Sequence, residues 1–199
     1  MESANAEEVA TQLRPSIVKF HEASKGRIEA IGLLFSEMAK QPLPPQVICQ
    51  ILGMDEEVVK EAFDTGNVPS ASEEQLFNAV KKSVDPEDTA ETYAPILERH
   101  VKRFENAKMV TEELKAQLSA MHSHCSGDVE KVAAFFSDLA PAPQTGNPMP
   151  EGMINALLRI QPAAKTCSLA DFLDCFERNL DIADSVATIQ PVLAKHIAA

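Results

Sequence analysis

Three side chains able to bind a metal fall within four positions, at His122, His124 and Cys125, and Cys167 and Cys175 are conceivable as a fourth ligand. Imidazole nitrogen and thiolate sulfur are the donors that tetrahedral zinc takes. On a helix, His122 and Cys125 lie one turn apart and share a face, whereas His124 points elsewhere unless the helix ends there. The competing reading is a helix C-terminus, where histidines meet the negative end of the dipole and Cys125 packs as a small apolar residue. That reading weighs more, and no metal ligand is assigned.

Other groupings lead to similar conclusions. Arg99, Lys102, Arg103 and Lys108 surround Val101 and Phe104 and could hold a phosphate or an acidic peptide. Glu98 and Glu105 interleave with them, and the pattern fits a solvated helix face. Asp171 and Asp174 have the spacing of a carboxylate pair for metal-diphosphate chemistry and are placed on a helix surface. The sequence holds no Glu-x-x-His, no His-Glu-x-x-His, no Gly-rich phosphate loop and no Gly-x-Ser-x-Gly elbow. No catalytic or cofactor-binding residue is assigned, and no cofactor is expected.

Eighteen Lys and Arg against thirty Asp and Glu leave a formal charge of -12, which repels phosphate backbones and anionic lipid. Nucleic acid is excluded as an expected partner. No apolar run is long enough for a bilayer, and the start, MESANAEEVATQL, lacks the basic and apolar regions of a secretory signal. Cys49, Cys125, Cys167 and Cys175 are widely spaced, which fits reduced thiols and a cytoplasmic setting.

The elements that must position these residues are helices. Apolar residues make up 45% of the chain, Trp is absent and Tyr occurs once, so strong β formers are thin. Ile17, Phe20, Ser24, Ile28, Ile31, Phe35 and Met38 recur every three or four positions, which predicts a helix of about seven turns from Pro15. The phase also runs back through Leu13 and Val9, with Asn5 and Glu8 as a capping pair, so Pro15 either starts this helix or kinks a longer one. Two short helices, at about 45–52 and 56–64, are separated by Gly53, with Asp55 capping the second. Further starts are read at Ser72 with Gln75, at Asp85 before Pro86, at Thr111, at Ser126 and at Ser168, and a final turn or two after Pro191. The predicted fold is all-α, an irregular multi-helix bundle or stacked helix pairs. A helical domain over 1–139, a Pro-rich linker over 140–150 and a docked helical segment over 151–199 complete the expectation. No fixed period repeats along the chain.

The run VICQILGMDEEVVKEAF, Val47 to Phe63, resembles a helix-turn-helix, with Ile48, Cys49 and Leu52 packing and Gly53 in the turn. Its second helix carries Glu56, Glu57, Glu61 and Asp64 against Lys60, which argues against DNA contact. Residues 45–66 are also similar to a ubiquitin-associated domain, with Gly53, Met54, Gly66 and Asn67 in the turn positions, although Val68 to Ser72 lengthens the second connection. SGDVEKVAAFF, from Ser126, resembles that family's third helix. The leading functional expectation is a non-catalytic helical module that binds a protein partner, as an adaptor, assembly subunit or effector-like factor. An enzyme or small-ligand binder with a pocket between helices is the alternative, and a ubiquitin-binding module ranks below it.

Overall fold

The computed structural model describes residues 2–55, 57, 70–85, 87–139, 151–161 and 163–198. Among them are nine helices: α1 (Glu2–Ser24), α2 (Ile28–Met38), α3 (Pro45–Leu52), α4 (Glu73–Ser83), α5 (Ala90–Cys125), α6 (Val129–Leu139), α7 (Glu151–Leu158), α8 (Leu169–Asn179) and α9 (Val186–Ala198). The described residues hold no strand, only two isolated antiparallel bridges, Arg27 with Ser70 and Asp128 with Thr166. The all-α expectation is met.

The chain divides into two compact units, 1–104 and 105–199. The first buries Leu13, Ile17, Phe20, Ile31, Leu34, Leu76 and Leu97 in one core, and the second buries Leu114, Leu118, Val132, Phe135, Phe172, Phe176 and Leu193 in another. This corrects the expected division. Residues 151–199 share their core with 105–139 rather than docking on a domain ending at 139, and the boundary falls inside α5. The linker expected over 140–150 lies outside the described residues.

Local differences have local causes. The predicted helix through Ser24 and Ile28 is two helices, because Lys25 and Gly26 take left-handed φ values of 55° and 65° and the Gly26 N–H bonds back to the His21 carbonyl. This pattern closes a helix with a left-handed residue. The apolar period continues across the break, so the stripe is buried as predicted although the helix is interrupted. Pro15 lies within α1 rather than at its start, and Pro191 within α9. Thr111 begins no helix and is buried in the middle of α5. The start read at Asp85 comes at Ala90. Two predicted starts hold in detail: Ser72 with Gln75 and Ser168 with Asp171 form reciprocal capping boxes. Gly53 closes α3 at φ 67°, and Asp55 accepts from the Glu57 N–H at 2.9 Å, while the rest of the second helix of the helix-turn-helix look-alike lies outside the described residues.

Compared residue by residue, the two units repeat one module. α2 and α6 each have 11 residues, α3 and α7 each 8, and α4 and α8 each 11. His21 corresponds to His122, Gly26 to Gly127, Phe35 to Phe136, Ser72 to Ser168, Pro95 to Pro191 and His100 to His196. The bridges correspond, as do the caps: Met54 donates to the Cys49 carbonyl and Ile160 to the Asn155 carbonyl, with Gly53 and Arg159 both left-handed. Asn5 and Asn106 each reach the carbonyl of a corresponding residue, Asp88 and Asp184. The chain therefore repeats a module without the fixed period whose absence the sequence shows. Loops of different length shift the spacing between counterparts along the chain, so no single period lines them up.

Candidate functional site

His122 sits on the last turn of α5, half-buried, with Nε2 3.0 Å from the Cys167 carbonyl oxygen. A carbonyl only accepts, so this nitrogen carries the hydrogen. The Cys125 thiol donates to the His122 carbonyl at 3.3 Å, and His124 is exposed. Among the described residues, no three His, Cys, Asp or Glu side chains are placed to hold a metal ion. The first unit repeats the arrangement, with His21 Nε2 2.8 Å from the Ala71 carbonyl. A Cβ on Gly26 would lie 2.3 Å from the Ala71 oxygen, and one on Gly127 2.4 Å from the Cys167 oxygen. Histidine and glycine together fasten the end of the first helix of each module to the segment that precedes its capping box. That is a role in the fold.

Two members of the basic cluster are engaged by neighbours. Arg99 pairs with Glu37, Lys102 pairs with Glu98 at 2.8 Å, and the Arg27 guanidinium lies 5.6 Å from the centre of the Phe104 ring. Asp171 accepts from the Ser168 N–H and hydroxyl, and Asp174 binds the Arg178 Nε at 2.6 Å.

A set that sequence reading missed joins residues far apart in the chain. His100 Nε2 stands 2.9 Å from Glu37 Oε2, with Arg99 on the other oxygen; His196 Nε2 stands 2.8 Å from Asp138 Oδ2, which Lys195 also binds at 2.6 Å. Lys195, then His196, hold the Asp138 carboxyl below the usual carboxylate range. The signal was present as two recurring dipeptides, Ser36-Glu37 with Ser137-Asp138 and Arg99-His100 with Lys195-His196. In both units the set ties the end of an 11-residue helix to the module's last helical segment.

Beside the first of these sets runs an open groove of about 780 Å3, lined by Leu33, Pro42 and Ile96 and by Ser36, Glu37, Lys40, Gln41 and Arg99. Leu33 is 47% exposed, and among the described residues three other large apolar residues share that condition: Met109 at 58%, Leu169 at 36% and Ile182 at 47%. Met109 and Ile182 flank one joint, since Asn106, one turn before Met109, donates to the Asp181 and Asp184 carbonyls at 3.2 and 2.9 Å. Their counterparts in the other unit are Ala134 for Leu33, Glu8 for Met109 and Glu73 for Leu169, while that of Ile182 lies outside the described residues.

No protein-family model, curated protein or solved structure matches this chain. The two units differ in what each displays and agree in what the module needs. Core residues, histidine and glycine fasteners and helix caps recur in both. The exposed apolar residues do not. No helix among the described residues is long and apolar enough to cross a membrane.

Proposed function

We propose that the protein is a non-catalytic adaptor in which two copies of one helical scaffold present different apolar surfaces to protein partners. The observation that carries this is the non-recurrence of exposed Leu33, Met109 and Leu169 on a scaffold whose core positions and fastenings do recur. Exposed apolar side chains that lie together mark interaction sites, and a shared scaffold displaying them at different places offers two distinct contact surfaces. The net charge of -12 argues for protein rather than nucleic-acid partners. The four free thiols fit a cytoplasmic setting.

The test places a photo-crosslinking amino acid at position 33, 109, 134 or 8 and irradiates the full chain in extract of its native source. Adducts of different mass at 33 and 109, with none at 134 or 8, are the expected result. Equal labelling at all four positions, or none at any, sinks the adaptor reading. A small-ligand or enzymatic role is the second reading, favoured by the Glu37–His100 pair beside the groove. Recurrence of that pair at Asp138 and His196, where it joins two helices, supports a fastening role instead. Of the residues behind the ubiquitin-binding alternative, Gly53, Met54, Gly66 and Asn67, the last two lie outside the described residues.

A further inference from the structure

We propose that Cys125 and Cys167 form a reversible disulfide on exposure to a hydroperoxide, a redox modification confined to the second unit. Three of the four cysteines stand where the first unit has small residues: Cys125 for Ser24, Cys167 for Ala71 and Cys175 for Ala79. All six positions are buried, and the first unit closes its core at its three with no sulfur. Packing alone therefore does not call for thiols there. The three share one core, where charge on Cys125 would raise Cys167 and charge on Cys167 would raise Cys175.

Backbone geometry selects the pair. The Cys167 N–H donates to the Gly127 carbonyl at 2.9 Å, and Asp128 bridges Thr166, so Cys167 lies across from the turn that begins directly after Cys125. The His122 side chain caps the Cys167 carbonyl while its own carbonyl accepts the Cys125 thiol, which draws both cysteines to one histidine. Cys125 and Cys167 keep 5% and 7% of their surface open to solvent, whereas Cys175 has none. A small oxidant reaches the first two before the third.

The chemistry balances with peroxide as the only co-reactant. Cys125, as thiolate, attacks one peroxide oxygen; the O–O bond breaks, leaving a sulfenic acid and, after proton transfer, water. The Cys167 sulfur then displaces the sulfenic hydroxyl, the S–S bond forms and a second water leaves, so two thiols are oxidised and one peroxide is reduced. Burial holds the Cys167 thiol protonated up to about pH 11, so its proton leaves with the displaced hydroxyl as the S–S bond forms. The product joins the end of α5 covalently to the segment before α8.

Full-length protein is treated with hydrogen peroxide, trapped with iodoacetamide, denatured, alkylated with a heavier label and mapped by mass spectrometry. Expected are a peptide pair linked through Cys125 and Cys167, heavy label on Cys49 and Cys175, and return of all four thiols with dithiothreitol. Cys125→Ser and Cys167→Ala, each installing the residue of the first unit, must abolish the link while leaving the helical circular dichroism unchanged. Four free thiols at a peroxide dose that oxidises the urea-unfolded chain overturn the proposal. So does a link between Cys167 and Cys175, a link between two molecules, or a sulfinic acid at Cys125.

Discussion

Gly26 and Gly127 are held by two constraints together, a left-handed φ and a carbonyl oxygen where a Cβ would stand. Gly53 has only the first, since nothing lies within 4 Å of its would-be Cβ and its counterpart Arg159 takes φ 56° with a full side chain. Gly26→Ala and Gly127→Ala should each lower unfolding free energy by about 2 kcal/mol or more, and Gly53→Val by about 1 kcal/mol. Urea titration of the three variants checks the ranking, and an equal cost at positions 26 and 53 would mean that the carbonyl contact yields easily. The buried thiols make a second prediction, on pH. Burial raises Cys167 to about 11 and Cys175 to about 12 from an ordinary 9.0. A raised folded value means that the unfolded chain loses its proton first, so their stabilising effect is complete below pH 9 and fades as pH climbs toward 11 and 12. Between pH 8 and pH 10.5 the urea midpoint should fall more for wild type than for Cys175→Ala. Parallel slopes would remove Cys175 from the account.

Two helix starts were legible in detail, whereas those read at Asp85 and Thr111 were not, nor was the helix end at Ser24. Ser72 with Gln75 and Ser168 with Asp171 announce themselves because a cap is a short-range hydrogen-bond arrangement among adjacent residues. Ser72→Ala and Ser168→Ala should each cost about 1 kcal/mol. Followed by hydrogen exchange, the first should raise exchange in α4 and the second in α8. Comparable changes in both helices from either variant would show that the two cores are not separate in stability. The break after Ser24 was hidden because Ser24, Ile28 and Ile31 keep helical spacing across it, so a pattern of buried residues cannot report that Lys25 and Gly26 turn left-handed. The join at 104 and 105 was hidden for the converse reason. The last helical segment of one module and the first helix of the next run on as α5, with no loop to mark the boundary.

Each unit has its own core and the full set of fasteners, which predicts that the pieces 1–104 and 105–199 fold separately. Expressed alone, each should give a helical circular dichroism spectrum and a cooperative urea transition. Pieces that are unfolded apart and helical only when mixed would show that the module is not a folding unit.

Composition and short-range pattern were enough to establish that the protein is helical, which faces of its helices are buried, and where two of those helices are capped. These properties depend on residues within a turn or two of one another. The division at residue 104, the repetition of one module, and the joining of Glu37 to His100 and of Asp138 to His196 required the folded chain. Those contacts link residues 63 and 58 positions apart, and helical periodicity carries no information on which face meets which. The exposed set of Leu33, Met109, Leu169 and Ile182 needed the fold most of all. An apolar residue looks the same in sequence whether a neighbouring helix covers it or not, and only packing in three dimensions leaves it open to water.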